Sequence, residues 1–226
     1  MDIISPVSYT HLDVYKRQSL YLLHPACETG SGGRDIGKKV ADLAGIPFYD
    51  GEELIKEAAK RSGTSLDLLR EYDEQKTGSI LYNIALFANY NQDVKQDKVY
   101  EMCYQLQETI RELELNSPAV FIGRCSTEIL KDSKRVVRTY IYSSKEEEKL
   151  RRIMRKEEVS EDEARRLMGR KDRQRRQYFK FWTEKNWSDR RNYDLELNTA
   201  RIAPEDCAAI LLCAKMCIRD RSTTWR

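Results

Sequence analysis

Histidine is almost missing from this chain: there are two in 226 residues. The six cysteines (Cys27, Cys103, Cys125, Cys207, Cys213 and Cys217) include no C-x-x-C pair, so a zinc site is not expected. Scattered thiols with no secretory signal among the residues read as reduced, which makes a cytoplasmic location the expectation. Long apolar runs are missing too. The longest, Cys207 to Ala214, is far too short to cross a bilayer, so no membrane partner is expected. Excess charge of one sign is small, at +3 overall. That near-neutrality argues against a dedicated nucleic-acid partner. A length of 226 residues admits one large α/β domain or a core with a mobile insertion, and either buries a full core.

What is present is unevenly placed. Thr29-Gly30-Ser31-Gly32-Gly33-Arg34-Asp35-Ile36-Gly37 puts three glycines within four residues, directly before an apolar stripe at helical spacing (Ile36, Val40, Leu43, Ala44). A glycine loop opening a helix aims unpaired N–H groups and the positive helix end at an anion. The formula G-x-x-x-x-G-K-[ST] is not met: Gly33 stands at its lysine, and Asp35 lies near its metal-binding hydroxyl. By composition alone the segment is as readily a flexible turn as a phosphate cradle. Farther on, Lys149 to Arg176 carries twelve Lys or Arg against six acids.

Residues 1–18 and 215–226 lack a usable period and are expected to be a non-native or disordered leader and tail, leaving 19–214 as a single domain. Ser19–Leu23 reads as a first strand, Ile46–Asp50 as a second, Ala119–Gly123 as a third, Val136–Tyr142 as a fourth and Tyr193–Leu197 as a fifth. Helices are expected after the glycine loop, over Glu52–Lys60 and Ser65–Glu71, along the stripe Val99–Leu113, from about Lys145, after the capping box at Ser160, and from Pro204. Lys76–Gln96 reads as loop with some helix, and Tyr178–Trp187 as aromatic and polar without a period. Strands alternating with helices predict a parallel sheet of about five strands covered on both faces, with a lid near residues 160–190.

Placed in this order, four stretches resemble the cytidylate kinase-like family, a branch of the nucleoside monophosphate kinases. They are Gly30–Gly37, Gly45-Ile46-Pro47-Phe48-Tyr49-Asp50, Phe121-Ile122-Gly123-Arg124-Cys125, and Asp172 through Arg175, Tyr178 and Trp187 to Asn192-Tyr193-Asp194. The likeness covers roughly Glu28 to Leu212. The family's loop also lacks the lysine, but its serine-arginine-glutamate-phenylalanine lead-in is replaced here by Ala26-Cys27-Glu28-Thr29. The resemblance implies a P-loop NTPase-like α/β fold with a helical lid. The implied reaction is magnesium-dependent transfer of the ATP γ-phosphate to a nucleoside monophosphate, CMP or dCMP. The alternative is a catalytically impaired nucleotide-binding or regulatory protein of the same fold.

Phosphoryl transfer demands positioning and charge stabilisation more than covalent chemistry, so cationic donors should surround one cleft. Gly30, Ser31, Gly32, Gly33, Arg34 and Asp35 are the expected ATP-phosphate contacts, with Arg34 nearest to replacing the lysine. Arg124 ends a buried strand, where open α/β sheets place ligands, and a guanidinium there suits bidentate grip of an acceptor phosphate. Asp50 ends another strand and is either an acceptor contact, a holder of metal-bound water, or only a helix cap. Asp35 and Asp50 are the candidate magnesium carboxylates. Arg170, Lys171, Arg173, Arg175 and Arg176, with Asp172 orienting Arg175 and Tyr178 alongside, fit the lid implied by the resemblance. Two other readings of that run are a solvated basic face, or nucleic-acid stacking through Tyr178, Phe179, Phe181 and Trp182.

Overall fold

The structure is a computed structural model that describes residues 23–71 and 93–220. In chain order its elements are β1 (Leu23–Cys27), α1 (Gly33–Ala44), β2 (Phe48–Tyr49), α2 (Gly51–Ser62), α3 (Leu66–Glu71), α4 (Asp93–Asn116), β3 (Val120–Phe121), α5 (Ser126–Ile129), β4 (Val137–Tyr142), α6 (Glu146–Glu157), α7 (Glu161–Thr183), a 3-10 turn (Arg190–Asn192), β5 (Leu195–Asn198) and α8 (Pro204–Asp220). The five strands form one parallel sheet in the order β2-β3-β1-β4-β5. Each parallel connection has to cross over the sheet, which places helices on its faces. The loops leaving β1, β2 and β3 all emerge at the carboxyl edge, the edge that concentrates ligand contacts in open sheets.

One face is covered by α1 and α8. Ile36 and Val40 of α1 and Ala208 and Leu211 of α8 bury against Val120, Val137, Ile141 and Leu197 of the strands. Val40 and Leu211 are fully buried, each contributing about 1.5–3 kcal/mol by area removed from water. The other face carries two clusters. Leu54, Ile110 and Leu113 close over Phe121, while Phe179, Trp187 and Tyr193 pack on Ala26 and Tyr140.

The termini of the helices follow their caps. Asp50 accepts from the amides of Glu52 and Glu53 to start α2, and Ser160 accepts from Glu163 N to start α7. Gly45 and Gly63 end α1 and α2 in the left-handed region.

Four expectations shift. The first strand occupies Leu23–Cys27, later than its apolar pattern suggested, because five consecutive residues pair with β4 from Leu23↔Val137 to Cys27↔Ile141; residues 19–22 lie outside the described residues. The expected loop over Lys76–Gln96 lies mostly outside them as well, but α4 already begins at Asp93. The aromatic stretch beginning at Tyr178 is helical through Thr183, since burial of Tyr178 and Phe179 continues α7 and overrides the weak local period. Backbone helix α8 runs on to Asp220. The leader 1–18 lies outside the described residues.

Candidate active site

The turn from β1 into α1 is a reversal that needs glycine. Gly30 and Gly32 have φ of 80° and 85°, and a Cβ on Gly30 would lie 2.7 Å from the Lys149 carbonyl oxygen. Ser31 folds back on the turn: its amide and hydroxyl both donate to Glu28 O, at 3.1 and 2.8 Å. The first helical bond of α1 runs from Ile36 N to Gly32 O, so the Gly33, Arg34 and Asp35 amides are left at the helix's open end.

Helix α6 and helix α7, the second within the expected lid, hold this turn. From α6, Lys149 pairs with Glu28 at 3.0 Å, and Arg152 donates to the carbonyls of Gly30 and Ser31 at 3.2 and 2.9 Å. From α7, the buried Asp172 accepts from Thr29 N at 2.8 Å and Thr29 Oγ1 at 2.6 Å. Arg175 Nη1 lies 2.6 Å from Thr29 Oγ1 and 3.2 Å from Asp172 Oδ1. Asp172 and Arg175 thus form the ion pair anticipated from the sequence.

The end of β3 is strained. Gly123, Arg124 and Cys125 lie in succession at φ of 83°, 58° and 57°. For the two non-glycine residues this costs about 1–2 kcal/mol each. Strain of this kind persists where the surroundings impose it, and it clusters at functional sites. Here it drives the buried Arg124 side chain against the start of α2: a Cβ on Gly51 would lie 2.1 Å from Nη2 and 2.2 Å from Cζ. A guanidinium beside the positive end of a helix stacks two fields of the same sign, an arrangement that an anion relieves.

Between these parts lies a cavity of about 610 Å³, within the range of small-molecule sites. Six cationic side chains (Arg34, Arg124, Lys156, Arg170, Lys171 and Arg175) line it against two carboxylates, Asp50 and Glu52. Ala26, Ile122, Phe179 and Trp187 supply apolar wall, with Tyr178 beside them. The balance suits a ligand with both phosphate and a flat apolar body.

The residues singled out in the sequence separate clearly. Arg34, Asp50, Arg124, Arg170, Arg175 and Tyr178 meet at the cavity. Arg34 turns toward β2: it pairs with Asp50 at 2.6 Å and lies 5.6 Å over the Phe48 ring. Asp35 is exposed and outside the cavity wall. Arg173 and Arg176 are exposed and outside it as well. The basic run therefore does not act as one unit, because helical periodicity turns Lys171, Gln174, Arg175 and Tyr178 inward and those two arginines outward. Lys171 is tied to Glu157 at 2.9 Å.

Asp50 both caps α2 and faces the cavity. Burial raises its pKa, but hydrogen bonds from Glu53, Arg34 and Glu52 more than offset this and hold it below the ordinary carboxylate value. Among the described residues no three His, Cys, Asp or Glu side chains gather into a metal cluster. Magnesium does not need one, since it is held through one or two carboxylates together with substrate phosphates and waters. Burial raises the pKa of Tyr140 and Tyr193 well above the ordinary tyrosine value, so Tyr140 keeps its proton and its hydroxyl donates a hydrogen bond to Glu28 Oε1 at 3.4 Å.

Sequence reasoning missed Gly51, Arg152 and Thr199. Gly51 carried a faint signal as the small residue after a strand-ending aspartate. Arg152 carried none, because it sits in a charge run that reads as a solvated helix face.

A glycine loop between the central strand and α1, a parallel sheet with helices on both faces, and a cationic cleft at its carboxyl edge define a P-loop kinase fold. The chain belongs to the cytidylate kinase-like family, whose model matches residues 26–201. No curated protein matches it by sequence. An uncharacterized protein from Eubacterium ventriosum shares the fold, with a TM-score of 0.66 and 22% identity over 87% of this chain and 98% of that one. A shikimate kinase from Acinetobacter baumannii, solved with shikimate, aligns over 94% of this chain and 99% of its own at 16% identity and a TM-score of 0.47. One from Bacteroides thetaiotaomicron aligns over 89% and 99% at 11% identity and 0.48. Among the described residues no helix is long and apolar enough to cross a membrane.

Proposed function

We propose that this protein is a nucleoside monophosphate kinase that transfers the γ-phosphate of ATP to CMP or dCMP. The observation that carries the reading is the 610 Å³ cavity in which Arg34, just after the β1–α1 turn, the strained Arg124 and Arg175 of α7 face one space. ATP phosphates lie at the open amides of Gly32 to Asp35, where backbone donors and the helix field favour negative charge. The acceptor phosphate is gripped by Arg124, and its flat base lies along the aromatic wall of Tyr178, Phe179 and Trp187. Arg175 faces the transferring group, where charge spreads over the equatorial oxygens. Arg34 spans the two halves and is held toward the acceptor side by Asp50.

Asp50, at the cavity wall, is the carboxylate that would hold the waters of a magnesium ion carried on the ATP phosphates, and that ion would offset part of their charge. Lys156 of α6 and Arg170 of α7 border the cavity, and closure of the lid near residues 160–190 over both nucleotides would exclude water. On this reading the partners are ATP and a nucleoside monophosphate, with a cytoplasmic location and no nucleic acid or membrane partner proposed.

One observation favours a second reading, a nucleotide-binding protein without turnover: the loop's own cation, Arg34, is engaged by Asp50. An ADP-release assay across CMP, dCMP, UMP and AMP separates the two. Acceptor-dependent release with CMP or dCMP supports the kinase, while tight ATP binding without acceptor-dependent release supports the second reading.

A further inference from the structure

We infer that Arg152 is the positioning residue that gives the glycine loop its phosphate-binding shape, in the absence of the loop lysine; this rests on the kinase reading above. Two donors converge on one carbonyl. Arg152 Nη1, reaching from α6, lies 2.9 Å from Ser31 O and 3.2 Å from Gly30 O. Thr199, buried just beyond β5, places Oγ1 2.8 Å from the same Ser31 O and 3.4 Å from Arg152 Nη1. Thr199 is itself anchored, its amide donating to Tyr142 O at 2.9 Å.

The consequence follows from the planarity of the peptide. In a trans unit the carbonyl and the next N–H point in opposite directions. Holding Ser31 O down onto Arg152 and Thr199 therefore turns the Gly32 N–H to the far side. Gly32 is left-handed at φ 85°, and a left-handed residue leading into a helix makes successive N–H groups converge into an anion-binding concavity. The Gly33 and Arg34 amides follow on the same side at the open end of α1. The guanidinium also packs under the turn, 3.4 Å from where a Cβ on Gly32 would stand. It thus adds a fixed positive charge behind the loop without occupying the ligand's place. A conventional loop lysine would reach over the phosphates; here the cation supports the backbone from beneath.

The test uses the full chain and calorimetric titration of ATP and, separately, of CMP. The variants are Arg152→Met, Arg152→Lys and Thr199→Val, with thermal melts as the control for folding. Arg152→Met is expected to weaken ATP about tenfold to a hundredfold, the range for losing charge-assisted hydrogen bonds to the loop. Its CMP affinity should stay within about twofold, a split that general destabilisation would not produce. Arg152→Lys should recover part of the loss, and Thr199→Val should weaken ATP less but in the same direction. The double variant should lose less than the product of the singles, because both act on one carbonyl. Unchanged ATP affinity in Arg152→Met, or equal losses for ATP and CMP, overturns the inference and leaves the kinase reading standing. If Arg152→Met does not fold, Thr199→Val decides, and its binding ATP like the parent overturns the inference. A parent chain that binds no ATP overturns the kinase reading and the inference with it.

Discussion

Replacing Gly51 with alanine should separate function from stability. The new Cβ would stand 2.1 Å from Arg124 Nη2, 2.2 Å from Cζ and 2.5 Å from Nη1. Ordinary contact begins at about 3.5 Å, so the guanidinium must retreat by more than about 1 Å. It is the far end of a flexible side chain and can move without dragging the sheet. The φ of Gly51 lies outside the left-handed region, so alanine is tolerated by the backbone there. Alanine's higher helix propensity and smaller unfolded-state entropy contribute about 0.5–1 kcal/mol in its favour. Net stability should therefore stay within about 1 kcal/mol of the parent. The acceptor site should not: a misplacement of about 1 Å in a bidentate clamp can cost about a hundredfold, equivalent to about 2.8 kcal/mol. Two-substrate steady-state kinetics should show the CMP KM raised by that factor with the ATP KM little changed, alongside a nearly parental melting temperature. A folded Gly51→Ala protein with the parental CMP KM would refute the placement of the acceptor phosphate at Arg124.

Other perturbations test the remaining parts. Arg124→Ala should raise the acceptor KM strongly, and Arg124→Lys should rescue it poorly in the same kinetics, because an ammonium cannot reproduce the planar fork. Arg175→Ala should lower kcat by about a hundredfold or more in single-turnover measurements, if its guanidinium meets charge that develops during transfer. Phe121→Ala, at a fully buried position under α2 and α4, should cost about 3–5 kcal/mol in denaturant unfolding. Asp50 and Asp194 both have folded pKa values below the ordinary 3.8. Their contribution to stability is therefore full above that value and lost as pH falls through the folded values. Unfolding free energies measured down that acid limb should fall less steeply in Asp194→Asn than in the parent.

The parallel sheet was largely legible because β3 lies in a continuous apolar run, β4 is rich in β-branched and aromatic residues, and the caps at Asp50 and Ser160 announce their helices; the strand order was not. The first strand was not: Pro25, Ala26 and Cys27 carry no strand signal, and pairing with Thr139, Tyr140 and Ile141 alone places them there. The continuation of α7 past Tyr178 escaped for a similar reason, since its period shows only against Ala26 and Tyr140 across the chain. At the site, the place of Arg124 just past β3 was readable because sheet topology sends strand ends to one edge. Apart from the Asp172–Arg175 pair, three residues apart on one helix, what a guanidinium touches was not readable. Arg34 reaching Asp50, sixteen residues away, and Arg152 reaching Ser31, across 121 residues, depend on packing that no local pattern encodes. The arginines of α7 divided into inner and outer only once the helix phase was fixed.

The most direct measurement follows the phosphate itself. The full chain is incubated with ATP labelled on its γ-phosphate, magnesium and CMP, and the products are separated. The account predicts label in CDP, formed in step with ADP and abolished by omitting CMP. ATP that stays bound and intact, or label released only as inorganic phosphate at the same rate with and without CMP, would contradict it.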